Sequence, residues 1–266
     1  MSLLDLTLTR IATGVYFVSA VVVGLEALLN REVLRRLRNI LLAIGFVIHT
    51  GALVTRSAQS GAVPFTDLFE YTLFFAWAIV LAYLLFFRKR LPVVGTLAML
   101  VVVFLLLGSA SYLFYSDPAG GMMPALRSHW LYIHVSLAAL GETFFAVGFI
   151  SSLIYMIRRK ASERASLETL DELTYRAISM GFPLFTAGAL VAGAIWAKQA
   201  WGAYWSWDPK EVLSLVVWLV YAVYLHARLV RGLRGTPVAL VSMAGFLLTI
   251  FTIFGTMVFG GLHSYG

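Results

Sequence analysis

The chain contains no cysteine. That absence rules out a disulfide framework, a thiolate metal site and a thiol relay of its own, so any sulfur chemistry belongs to a partner. Charge is scarce as well: Asp, Glu, Lys and Arg make up 12% of the 266 residues, against 61% hydrophobic residues and a mean hydropathy of +0.87. Too little polar surface remains to clothe a water-soluble domain. The 20 Lys and Arg exceed the 13 Asp and Glu, yet no basic solvated face stands out, which leaves a nucleic-acid-binding reading without support. No internal repeat and no low-complexity tract interrupts the chain.

What is present is long hydrophobic runs. A bilayer core of about 30 Å needs roughly 20 apolar residues per helix. Eight stretches qualify, at about 6–29, 38–55, 69–87, 91–113, 129–157, 177–200, 211–231 and 237–260. They predict an all-α integral membrane protein, a polytopic bundle of about eight transmembrane helices forming one domain over residues 1–266. The first stretch carries no small-residue cleavage pattern and is expected to be a retained helix rather than a signal peptide.

The surplus positive charge falls in alternate loops. Arg31, Arg35, Arg36 and Arg38 fill the first; Arg88, Lys89 and Arg90 the third; Arg158, Arg159, Lys160, Arg164 and Arg176 the fifth; Arg228, Arg231 and Arg234 the seventh. Basic residues accumulate on the cytoplasmic side, so these loops are expected to face the cytoplasm. The even loops carry only Arg56, then Arg127, then Lys198 and Lys210. They and both termini are expected on the external face. Within the fifth loop, Ala161 to Tyr175 mixes acids and bases with apolar residues and predicts a short amphipathic surface helix, within a cytoplasmic loop of about 158–176. Asp208-Pro209-Lys210-Glu211 predicts a capping-box entry into span seven, and Asp67 with Glu70 repeats that spacing at span three.

Four of the seven tryptophans lie between residues 196 and 211: Trp196, Trp201, Trp205 and Trp207, with Tyr204 among them. An interfacial aromatic belt is the bland explanation, but a belt needs only one or two rings per helix end. Such crowding in a short external loop suits a flat aromatic ligand, since offset stacking contributes about 1 kcal/mol per ring beyond area burial. Gly202 permits a sharp turn there. Asp208 is accounted for equally well by helix capping.

Imidazole ligates haem iron, which directs attention to the five histidines. His129 and His134 open span five and His263 follows span eight, all three on the side expected for the tryptophan loop. His129 and His134 stand about 140° apart around a helix, so only one of them can easily share a site with His263. His226 lies near the inner end of span seven, and His49 lies within span two, where satisfaction by a neighbouring helix is the favoured role. Glu142 is an intramembrane acid two turns from His134, suited to pairing with a base, to a proton path or to a ligand's outer hydrogen bonds.

The run Trp201-Gly-Ala-Tyr-Trp-Ser-Trp-Asp208-Pro-Lys-Glu211 closely resembles the WWD motif of the haem-handling proteins, in the form found in the CcsA (ResC) family of System II cytochrome c maturation. Ser60 to Glu70, Trp130-Leu-Tyr-Ile-His134-Val, Tyr224-Leu-His226-Ala-Arg228 and Leu262-His263-Ser-Tyr-Gly266 look like the same family; the first span carries no such motif. Relatives often carry a histidine after the glycine of the second loop, where this chain has Ala62-Val63.

The resemblance implies a non-covalently held haem b whose iron is ligated by His134 and His263, with Trp201, Tyr204, Trp205, Trp207 and Asp208 cradling the porphyrin. It implies that His226 receives haem within the membrane, its companion ligand coming from a CcsB-type partner. It further implies a subunit of a haem exporter and holocytochrome c synthase in the bacterial cytoplasmic membrane, presenting haem externally to the CxxCH thiols of apocytochrome c. Lys198, Lys210, Arg127 and Arg56 are the external cations available to the propionates. Delivery of haem to a chaperone, a diheme b-type electron-transfer subunit and a solute transporter with an ordinary aromatic belt are the competing readings.

Overall fold

Apolar runs this long, bounded by capping residues, have one stable outcome in lipid, because a helix satisfies all its backbone groups within the segment. The computed structural model describes residues 3–116, 126, 128–160 and 163–259. Eight helices among the described residues are long and apolar enough to cross a bilayer, and no described residue lies in a strand. The chain is therefore a multi-pass, all-helical membrane protein. It divides into two compact units, residues 1–122 and 123–266.

The first unit comprises α1 (Leu4–Leu29), α2 (Glu32–Ser60), α3 (Leu68–Ala82), which continues through a widened π turn over Tyr83–Phe87 designated π1, and α4 (Val93–Leu113). Helix α1 packs against both α2 and α4, and α3 packs on α4. Asp67 caps α3 by accepting a hydrogen bond from the Glu70 backbone N–H at 2.7 Å, as its spacing predicts. Its carboxylate also joins a buried cluster around Arg56. That guanidinium donates to Glu70 at 2.7 Å, to Asp67 at 3.0 Å, to Asp5 at 3.2 Å and to the Ser116 carbonyl at 2.8 Å. His49 is fully buried and its Nε2 donates to the Leu73 carbonyl at 3.0 Å, so the neighbouring helix takes one ring nitrogen, in the direction favoured from sequence, while Nδ1 has no hydrogen-bond partner among the described residues.

The second unit comprises α5 (His129–Arg158), α6 (Arg164–Phe185), a π turn over Thr186–Ala192 designated π2, α7 (Gly193–Trp201), α8 (Pro209–Leu229) and α9 (Thr236–Phe259). The predicted surface helix of the fifth loop is not separate. It is the first part of one unbroken helical run, Arg164–Trp201, of 38 residues. The i,i+4 pairs Arg164–Glu168 and Glu172–Arg176 support the projecting turns, and no proline or glycine intervenes before Gly181. At about 57 Å this run exceeds the hydrocarbon thickness nearly twofold.

Helices α5 and α6 approach unusually closely because glycines face each other. A Cβ on Gly141 would lie 2.7 Å from the Phe185 backbone nitrogen, and one on Gly181 would lie 2.8 Å from the Gly141 carbonyl oxygen. Small residues at such crossings are the ordinary means of bringing two membrane helices into backbone contact. Phe145 stacks on Tyr221 with centroids 3.6 Å apart, fixing α8 against α5.

Candidate haem site

The site is built from the α5 start, π2, α7 and the loop to α8. Pro183 lacks the N–H that would continue the helical ladder, and three residues later the bonding widens to i→i+5, with the Gly193 N–H reaching the Gly188 carbonyl. Trp218 on α8 buttresses this break: its indole N–H donates to Thr186 Oγ1 at 2.9 Å and its ring stacks on Phe182. Gly188 is required by proximity, since a Cβ there would stand 2.3 Å from the Ala138 backbone nitrogen.

That approach delivers the Gly188 carbonyl to His134, whose Nδ1 lies 2.9 Å from it. A carbonyl only accepts, so Nδ1 carries the proton and the neutral ring has its lone pair on Nε2. The ring is held on two further sides. It stacks on Trp196 at 5.8 Å and 5° between planes, and Gly193 leaves room for its edge, with a Cβ there falling 3.0 Å from Nδ1. Trp196 is 1% exposed and meets Trp201 edge-on.

The loop after α7 is tied at both ends. Gly202, at φ 84°, ends α7 in the left-handed region, and Lys198 Nζ donates to its carbonyl at 2.7 Å while lying over the Tyr204 ring. At the far end Asp208 and Glu211 form the predicted capping box. Asp208 accepts from the Lys210 N–H at 2.9 Å, and Glu211 accepts from the Asp208 N–H at 3.3 Å and from Ser206 through its N–H and Oγ at 2.8 and 3.0 Å. Between these anchors Trp207 adopts φ 58°, is 74% exposed, and meets Trp205 edge-on at 6.0 Å.

His134, Tyr204, Trp205, Lys210 and Glu211 line one open pocket with Ala189, Leu190 and Gly193, enclosing about 420 Å³ of empty space including its mouth. Of the residues expected to meet haem, His134, Tyr204 and Trp205 therefore line a common cavity. Trp207, exposed beside Trp205, Trp201, edge-on to Trp196, and Asp208, engaged in capping α8, do not line it. His129 is exposed at the first residue of α5 and does not line the pocket. His226 is exposed near the other end of α8, 16 residues past Lys210, or about 24 Å along the axis. His263 and Arg127 lie outside the described residues.

Sequence reasoning missed Gly188, Gly193 and Trp196 as the partners of His134. The signal available was the glycine pair five residues apart, a separation that puts two positions on one face only where a helix widens.

The residues lining this pocket offer donor and ring chemistry of the kind a metalloporphyrin takes. An imidazole with Nδ1 bonded to a carbonyl is oriented as metal-ligating histidines generally are, and indole and phenol rings flank the same cavity. The comparisons with known proteins agree in kind. Residues 65–263 match the family described as Cytochrome C assembly protein. The chain belongs to that family. Its curated relatives include the cytochrome c biogenesis protein CcsA of Chlamydomonas reinhardtii, 36% identical across 95% of this chain and 73% of that protein. Another is the CcsA of Prochlorococcus marinus strain NATL2A, 37% identical across 85% and 84% of the two chains. Among solved structures, the cytochrome c haem lyase CcmF shares the fold at a TM-score of 0.72 and 21% identity; 97% of this chain is covered, but it spans only half the length of that protein.

Proposed function

We propose that this chain holds haem against the α7–α8 loop as a subunit of a cytochrome c maturation machine and presents it for covalent attachment to apocytochrome c. The observation that carries this reading is the setting of His134: Nδ1–H on the Gly188 carbonyl, the ring flat on Trp196, and the residue in the same pocket as Tyr204 and Trp205. Relatives named for cytochrome c biogenesis support it.

Haem is the cargo, and it brings the iron and the two vinyl groups. The chain's own residues bind and orient. His134 would supply one nitrogen to the iron in a fixed tautomer, and His263 is the proposed second ligand. Trp205, Tyr204, Trp207 and Trp201, with Asp208 setting the loop, form a shelf that leaves a porphyrin edge exposed. Each substrate thiol adds across one vinyl group, the sulfur bonding to one carbon and the S–H hydrogen ending on the other, so no net electrons are consumed. A chain with no cysteine cannot compete for those vinyls.

In this reading His226, exposed on α8, takes haem inside the membrane together with a ligand from a CcsB-type partner. The α7–α8 loop and both termini face outward across the bacterial cytoplasmic membrane.

Absorption spectra of the purified chain test the proposal. The parent protein is expected to carry a low-spin, bis-histidine haem spectrum. His134→Ala is expected to lose most of it, and added imidazole to restore it. A colourless parent protein that takes up no added haem sinks the reading, and an unchanged spectrum in His134→Ala moves the ligand elsewhere.

A further inference from the structure

The four cations considered from sequence for the haem carboxylates have very different surroundings. Arg56 is 1% exposed in the first unit, with Asp5, Asp67, Glu70 and Ser116 as partners, and has no path to a ligand. Lys198 spends its ammonium on the Gly202 carbonyl and the Tyr204 ring. Arg127 lies outside the described residues. Lys210 alone of the described lysines and arginines lines the pocket that contains His134.

Lys210 stands in the first turn of α8 with its stem half-buried. Its strongest charge partner is Glu142, an acid 6% exposed on α5, two turns from His134. A carboxylate at such a place in a membrane span requires a cation. An ammonium carries three donors in a rotatable group, so one lysine can bridge a buried acid and a second carboxylate at the pocket wall. The two other acids near it are occupied: Asp208 accepts from the Lys210 N–H, and Glu211 accepts from Ser206 and from the Asp208 N–H. Both sit at the α8 N-terminus, where the helix dipole offsets their charge.

We propose that Lys210 is the carboxylate-binding residue of this pocket, receiving a propionate while Glu142 balances its charge. The inference rests on the haem-holding reading and deepens it: it assigns the pocket a preference for metalloporphyrins with free acid side chains over esterified ones.

The test compares iron protoporphyrin IX with its dimethyl ester, each titrated into the full chain in detergent. The two share ring and iron; the ester caps both propionates with methyl groups and so removes their charge. The parent is expected to bind the free acid more tightly. Lys210→Gln is expected to weaken free-acid binding about 10- to 100-fold, the worth of a charge-assisted hydrogen bond, and to leave the ester unchanged. Lys210→Arg is expected to restore much of the difference. Unchanged ester binding also certifies that the variant has folded. Equal losses for both ligands, or a loss for neither, overturn the assignment and leave the haem reading standing. A parent chain that binds neither porphyrin removes the haem reading, and this inference goes with it.

Discussion

Adding one methyl group at position 188 tests the geometry of the site most directly. In Gly188→Ala the new Cβ would stand 2.3 Å from the Ala138 backbone nitrogen and 2.6 Å from the Leu137 carbonyl carbon. Ordinary contact lies near 3.5 Å, so π2 and α5 must separate by on the order of 1 Å. Backbone cannot rotate aside as a side chain can. The His134–Gly188 bond, 2.9 Å in the parent, would stretch to roughly 3.9 Å and cease to be a hydrogen bond. Overpacking of this kind costs about 1–3 kcal/mol of stability, and loss of a ligand's orienting partner costs about 10- to 100-fold in metal affinity. Haem titration of the purified variant, followed by absorbance and paired with thermal unfolding, measures both. Gly14→Ala is the control, because nothing lies within 4 Å of its added Cβ; it is expected to be neutral or stabilising by up to about 1 kcal/mol. If Gly188→Ala bound haem as tightly as the parent and melted at the same temperature, the π turn would have no part in holding His134.

Three other perturbations probe separate links. Arg56→Met removes the single cation from a cluster containing Asp5, Asp67 and Glu70 and is expected to cost about 3–5 kcal/mol, read by thermal unfolding; an unchanged melting profile would mean the acids find other compensation. Asp208→Ala removes the α8 cap and should cost about 1 kcal/mol while loosening the loop, with faster hydrogen exchange confined to residues 203–212 as the signature. His226→Ala is expected to leave the His134-dependent haem spectrum intact, given about 24 Å of helix between the two regions; loss of that spectrum would show the two histidines to be coupled.

The eight spans were legible because hydrophobic length is a local property, and the structure reproduces them within a few residues except at the second, whose helix runs six residues further at its start and five at its end, and at the sixth. Caps at Asp67 and Asp208 were legible for the same reason: the side chain and the N–H it serves are neighbours in sequence. Arg56 was misjudged. Counted as an external loop charge, it lies inside α2, enclosed by acids from α1 and the start of α3, and no local pattern reports a partner 51 residues away. The aromatic loop was recognised as a cluster, but the division of labour within it was not. Trp196, the ring that touches His134, was the tryptophan left off the expected cradle, because which indole faces inward depends on helical phase across a break that composition does not reveal. The extension of α6 was hidden by its polarity: a helix leaving the bilayer reads like a surface segment.

On an ideal α-helix residues 188 and 193 point about 140° apart, yet both meet the same imidazole. The widened turn makes up that difference by absorbing one surplus residue, which turns everything after it by about 100° relative to an unbroken helix. Trp196, Trp201 and the whole tryptophan loop inherit that rotation. The aim of the aromatic shelf is thus set by the phase of a single turn, and any change of one residue in the length of 186–192 would swing the shelf away from the histidine while leaving every side chain of both unaltered.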